Sequence, residues 1–149
     1  FLQRPEVSGG KPVVLLGHSM GGGIAALSAA RYPQAIARVG LLGAAGVRFD
    51  DNRFGLDVLA GRNPFSVTDQ ASLRRYFETV FEDRDAMPHV PWMADRIYIA
   101  RRRAEAPFEQ SILDRIGRGP EALLPGEEAA NILQPTLLLW CRQDKVIHW

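Results

Sequence analysis

Apolar positions in this chain fall into three short, unbroken runs with stretches of helical period between them. Residues 13–16, VVLL, follow Gly10, Lys11 and Pro12 and read as a strand buried on both faces, because the run is continuous where a half-exposed strand would alternate. Residues 36–46, IARVGLLGAAG, read as a second buried strand with a glycine-rich exit, and residues 136–141, TLLLWC, as a third. Between the first two, small and apolar residues continue from Met20 to Tyr32. Arg31 suits a last helical turn, and Pro33 stops the pattern. Strand, tight turn and helix in succession predict an α/β fold with a mostly parallel, doubly wound sheet.

The roughly ninety residues between the second and third strands have a different texture, rich in arginine and aromatic residues, and read as a helical insertion. Ser66 or Thr68 is the expected N-cap of a helix through about Phe81, with Leu73, Phe77, Val80 and Phe81 on one face and Arg74, Arg75, Glu78 and Glu82 on the other. A second helix is expected from near Pro91 to Arg103, limited by Pro107, and a third from about Phe108 to Ile116, closed by Gly117 and Gly119 before Pro120. Boundaries follow: core over 1–47, insertion over 48–130, core again over 131–149.

Composition narrows the class without naming a chemistry. The 149 residues suffice for one sizeable core, and 46% hydrophobic with 23% charged is an ordinary globular balance. A formal charge of +1 gives no global field for nucleic acid or an anionic membrane. Cys141 stands alone, so it has no internal disulfide partner and no zinc-site spacing; a small core residue is its simplest reading. No run is long and apolar enough to span a bilayer and no secretory leader is visible. Because the chain opens at Phe1 and stops at Trp149 just after a loop, both ends are expected to be cuts in a longer protein, and its location is left open.

The stretch with most chemical content is LLGHSMGGG, residues 15–23. A strand entering Gly17-His18-Ser19-Met20-Gly21 and leaving as a helix is the G-x-S-x-G context of a nucleophile elbow. Such a turn forces the serine to positive φ, so Gly17 and Gly21 are expected to be side-chain-free because a Cβ at either would collide across the turn. Gly22, Gly23 and the alanines at 25, 26, 29 and 30 let the helix sit close to the sheet and aim its N-terminus at Ser19. The Met20 amide is then the natural oxyanion donor. A phosphate-binding turn is disfavoured, because no G-x-G-x-x-G is present and such a loop needs no serine at its apex.

GHSMGG, the helix ending RYP, and PTLLLWCRQDKVIHW together resemble the α/β-hydrolase fold family, in particular capped serine esterases and lipases similar to monoacylglycerol lipases. The resemblance implies a fragment of that fold, with the insertion as a helical cap. It implies Asp144, in QDKVI after the third strand, as the acid; Asp50 and Asp51, after the second strand, rank behind it. A loop aspartate more commonly caps a turn or pairs with its neighbour, here Lys145. Cys141 departs from the glycine that the family usually carries before the acid loop.

A serine needs a histidine base, held in turn by the acid. His18 is expected to pack beside the elbow, His89 to be a polar cap residue and His148 to start the next helix, so the base is expected beyond Trp149. The second oxyanion donor is likewise expected upstream. The function implied is hydrolysis of a lipophilic carboxylic ester through an acyl-enzyme, with no metal or cofactor, no nucleic acid, and contact with a lipid interface as a further expectation. Carbon–carbon hydrolysis, perhydrolysis or acyl transfer on the same machinery, or a non-catalytic binding module, are the alternatives. Epoxide and haloalkane hydrolases are disfavoured because their nucleophile is an aspartate. The aromatic residues of the insertion are expected mainly to pack its helices together, and ARRRAE, residues 100–105, to be a solvated helix face.

Overall fold

A computed structural model describes residues 1–46, 52–117 and 125–149. The chain divides into two compact units, one of Phe1–Asp50 with Leu123–Trp149 and the other of Asp51–Ala122. Asp50, Asp51, Gly119 and Pro120 lie outside the described residues.

In the first unit a single turn, α1 (Pro5–Ser8), ends at Gly9 with φ 61° and precedes β1 (Val13–His18). Then come α2 (Met20–Arg31), β2 (Ile36–Leu42) and, after the second unit, the last strand of the sheet, β3 (Thr136–Leu139). The three strands are parallel in the order β1-β2-β3. Leu15 pairs with Val39 and Gly17 with Leu41, while Val39 and Leu41 pair onward with Thr136 and Leu138. The apolar β2 run takes the middle place, where both backbone edges are bonded.

Helix α2 covers one face of this sheet. Ala25, Ala26 and Ala29 are buried with Ile36, Val39, Leu41 and Ala44. Methyl-sized side chains contribute little area each, so this packing depends on the closeness that glycine and alanine permit. The other face differs from expectation. Val14 and Leu16 are 64% and 67% exposed, and Leu137, Leu138 and Leu139 are all exposed on β3. Successive strand residues point to opposite faces, so burial is one-sided along β1, while β3 is exposed on both faces within the first unit.

Two short 3₁₀ turns, Pro125–Glu127 and Ala129–Asn131, lead back towards β3 and are fastened to α2. Arg31 and Glu128 form a two-pronged ion pair, with Nε 3.1 and 2.9 Å from the two carboxylate oxygens. The Glu128 carboxyl is held below its ordinary range by the hydrogen bond from Arg31, and the guanidinium is correspondingly raised. Gln134 Nε2 donates to the Ala29 carbonyl at 3.0 Å. The Gly126 amide donates to the Gly46 carbonyl, also at 3.0 Å.

The second unit is helical: α3 (Arg53–Leu59), α4 (Gln70–Val80) and α5 (Trp92–Gly117). Helix α3 was not expected from the sequence; Asn52 caps it, Oδ1 accepting from the Gly55 amide at 2.8 Å. The N-cap of α4 is Asp69 in place of Ser66 or Thr68. Its carboxylate accepts from the Ser72 amide at 2.7 Å while the buried Ser72 hydroxyl accepts from the Asp69 amide at 2.9 Å, a reciprocal capping box. The Ser72 amide, and after it the Ser72 hydroxyl donating to Asp69 Oδ1 at 2.8 Å, hold the Asp69 carboxyl below its usual range.

The two helices expected on either side of Pro107 are one, with Pro107 inside α5. A proline forfeits one helical hydrogen bond, but here Arg102 pairs with Glu109 across it and binds the two flanking turns together. Arg102 is also the exception in the arginine run. Its side chain turns inward, Nη2 donating to the Phe65 carbonyl at 2.8 Å and the guanidinium lying 5.7 Å from the Tyr76 ring centre. Burial, with Tyr76 alongside, raises the Tyr98 phenol. Phe54, Phe65, Tyr76, Phe77 and Phe81 form a continuous chain of ring contacts at centroid distances of 4.9 to 6.2 Å, the packing role expected of them.

Candidate active site

Ser19 sits between β1 and α2 with φ 52° and ψ −124°. It is the one non-glycine residue at positive φ among the described residues. That backbone conformation is costly for an L-residue, so surrounding bonds have to hold it. They do so on both sides of the peptide. The Ser19 amide donates to the Leu42 carbonyl at 3.0 Å, and the Ser19 carbonyl accepts from Gly22 at 2.9 Å, Gly23 at 3.2 Å and Ala45 at 2.9 Å. The bend is thus bonded to the exit of β2 as well as to its own helix.

The glycines divide the steric work differently from expectation. A Cβ on Gly17 would lie 2.2 Å from the Gly21 carbonyl oxygen, so Gly17 is required as foreseen. A Cβ on Gly21 would meet nothing within 4 Å. Gly21 contributes its backbone to the crossing, and its missing side chain is not what the turn demands. The second tight position is Gly22, where a Cβ would lie 2.5 Å from Ala44 Cβ and 2.8 Å from Ala44 Cα.

Gly22 and Gly23 are bonded to the Ser19 carbonyl, and the amides of Met20 and Gly21 have no backbone partner among the described residues. They add to the positive end of the helix, the setting in which an anionic oxygen beside Ser19 is stabilised. His18 closes β1 opposite Leu42 with its side chain exposed. Ser19 itself is half-buried and Met20 is exposed.

Asp144 lies in the loop after β3. Its Oδ1 accepts from the amides of Val146 at 2.8 Å and Ile147 at 2.9 Å, and its own amide donates to the Cys141 carbonyl at 3.2 Å. Trp140 Nε1 donates to the Ile147 carbonyl at 3.2 Å and closes the loop over the buried Ile147 side chain. Asp144 therefore does cap its own turn. The turn uses one oxygen and fixes the other: Oδ2 faces Gly43, where an added Cβ would lie 3.3 Å from it. Gly43, at φ +47°, follows β2 immediately and its amide donates to the Leu139 carbonyl at 2.9 Å. Serine and carboxylate thus emerge at the same edge of the sheet, each in contact with the exit of β2.

His89 is exposed in the second unit, and His148 stacks on Trp149 with centroids 6.0 Å apart. No described histidine hydrogen bonds to the Ser19 hydroxyl. Cys141 is exposed and not a core residue, because β3 ends at Leu139 and leaves the thiol in the following turn, 3.4 Å from Gln143 Oε1. Among the described residues no three His, Cys, Asp or Glu side chains gather as metal ligands, and no helix is long and apolar enough to cross a membrane. Sequence reasoning missed Gly43, Ala44 and Ala45, whose only signal was the small-residue exit of the second strand.

Similarity to known proteins places the fold. Over 138 residues, 89% of this chain, the sequence is 41% identical to the 2-hydroxymuconate semialdehyde hydrolase of Pseudomonas sp. strain CF600, covering 46% of that protein. A solved membrane phospholipase A, described as a bacterial virulence factor, superposes with a TM-score of 0.81 at 30% identity, over 97% of this chain and 45% of its own. The meta-cleavage product hydrolase of Pseudomonas fluorescens IP01 shares the fold, with a TM-score of 0.67 at 24% identity over 97% of this chain and 52% of its own. The chain spans about half the length of these relatives. Residues 1–149 match the Alpha/beta hydrolase family throughout, and with its parallel sheet and strand-turn-helix elbow the chain belongs to that family.

Proposed function

We propose that these residues supply the nucleophile, one oxyanion donor and the acid of a serine hydrolase, and that the whole protein cleaves carboxylic esters bearing an acyl chain. The observation that carries this reading is Ser19, held at positive φ at the head of α2 beside the exit that also meets Asp144. Ser19 Oγ attacks the substrate carbonyl, a histidine elsewhere in the protein takes its proton, and the Met20 amide receives the developing oxyanion. Asp144 fixes the imidazole and stabilises its cationic form. The tetrahedral intermediate collapses as the ester C–O bond breaks and the alcohol leaves with the proton from the histidine. Water, deprotonated by the same histidine, then attacks the acyl-enzyme, releasing the carboxylic acid and returning the proton to Ser19 Oγ. The insertion is read as the cap of this family, and its many aromatic residues suit an uncharged lipophilic ester, monoacylglycerol-like in the simplest case. The 30% identical phospholipase supports an ester bond as the target.

A second reading, carbon–carbon hydrolysis, is favoured by one observation, the 41% identity to a hydrolase named for 2-hydroxymuconate semialdehyde. Both readings use the same serine, so substrate choice separates them. The full-length protein is offered p-nitrophenyl esters of increasing chain length and, separately, 2-hydroxymuconate semialdehyde, with a fluorophosphonate probe reporting on Ser19. Turnover of the esters together with probe labelling that Ser19→Ala abolishes is the expected result. Turnover of the semialdehyde alone replaces the ester reading with the second one. Neither turnover nor labelling leaves a binding module on the same fold.

A further inference from the structure

Three consecutive small residues after β2 touch both halves of the candidate site. Gly43 faces the Asp144 carboxylate, where a Cβ would lie 3.3 Å from Oδ2. Ala44 packs on Gly22, close enough that a methyl there would come within 2.5 Å of it. Ala45 donates its amide to the Ser19 carbonyl at 2.9 Å. The segment is itself anchored, since the Gly43 amide bonds the Leu139 carbonyl at 2.9 Å and Ala44 is buried in the core under α2. Nucleophile and acid reach the sheet edge on separate chain segments far apart in sequence. Something has to set their spacing, and this segment contacts each.

We infer that Gly43, Ala44 and Ala45 form the positioning segment that sets the Ser19 turn and the Asp144 carboxylate relative to each other, with Gly43 deciding where the carboxylate rests. The inference rests on the serine-hydrolase reading and adds residues that touch no substrate. Its physical content is steric. At φ +47° the backbone favours glycine, and the absent side chain is what lets Oδ2 settle against the exit of β2. A methyl at 43 displaces the carboxylate by a few tenths of an ångström while leaving Ser19 in its turn. Bulk at 44 acts on the other half, pushing on Gly22 at the start of α2.

The test uses the full-length protein and a short-chain p-nitrophenyl ester. Ser19→Ala comes first and establishes whether the parent reading holds; activity that survives it overturns that reading and this inference together. With Ser19 shown to be required, Gly43→Ala is expected to lower kcat about 10- to 100-fold, the scale of a small misplacement in a catalytic constellation, with KM within about twofold. A carboxylate near the imidazole base raises the pKa of that base, so displacing it moves the acidic limb of the kcat/KM profile to lower pH. Gly43→Asn, which tolerates the left-handed backbone better, should keep the thermal midpoint and still give the same kinetic shift. If Gly43 acts through the carboxylate, Gly43→Ala adds little in an Asp144→Asn background. Additive losses in that cycle, or wild-type kcat and an unmoved pH limb in a folded Gly43 variant, overturn the inference while leaving the serine reading intact.

Discussion

Gly17 and Gly21 cross at the elbow so closely that a methyl on Gly17 would sit 2.2 Å from the Gly21 carbonyl oxygen. Both atoms at the crossing are rigid backbone or fixed to it, so the collision has no inexpensive escape. Gly17→Ala is therefore expected to destabilise the protein by about 1–3 kcal/mol or more and to abolish fluorophosphonate labelling at Ser19. Gly21→Ala, with open space around its Cβ, should stay close to wild type in thermal stability. Denaturant unfolding of the two variants side by side reads the contrast directly.

Gly22 and Ala44 make a reciprocal pair. Gly22→Ala is expected to cost stability on the same overpacking scale, about 1–3 kcal/mol. Ala44→Gly should restore only part of it, because the new methyl would still lie 2.8 Å from the Ala44 Cα and 3.2 Å from the Gly17 carbonyl oxygen. A double-mutant cycle by denaturant unfolding gives the coupling, and simple additivity would contradict the contact.

Glu128 and Asp69 should both make the fold acid-sensitive. Each carboxyl is held below its ordinary value in the folded state, Glu128 by Arg31 and Asp69 by Ser72. A depressed carboxyl stabilises the fold above its unfolded pKa, and that contribution is lost as pH falls through the folded one. Thermal midpoints of Glu128→Gln and Asp69→Asn should lie below wild type near neutrality and converge with it once the pH drops beneath the usual carboxylate range. A gap that persists at low pH would show that the charge is not the source.

Arg102 holds the second unit together through Glu109, the Phe65 carbonyl and the face of Tyr76. Arg102→Ala is expected to destabilise the protein by about 1–3 kcal/mol, whereas removing the exposed Arg101 should cost under about 1 kcal/mol. Equal effects in chemical denaturation would mean that Arg102 is no more than another surface charge.

The sheet and the elbow were legible because unbroken apolar runs and glycine spacing are direct records of backbone demands. All three strands, the helix after the serine and the need for Gly17 follow from those patterns. What sequence reading could not resolve depended on partners distant along the chain. Asp69 became a cap through Ser72, not through the Glu or Gln that usually signals a capping box, and Pro107 lies inside a helix whose flanking turns Arg102 and Glu109 bridge. Gly22 outranked Gly21 only because Ala44, more than twenty positions later, presses on it. The exposure of one face of β1 and of both faces of β3 was hidden because continuous apolar runs do not record which face a given unit covers.

The bond between the Gly46 carbonyl and the Gly126 amide means that the polypeptide leaves the sheet-bearing unit and rejoins it at one doorway. Whatever lies between those two glycines closes a loop whose ends are already neighbours, and lengthening such a loop adds entropy cost only logarithmically. Segments of other sizes and compositions can therefore be exchanged there at little entropic cost to the unit that carries the sheet.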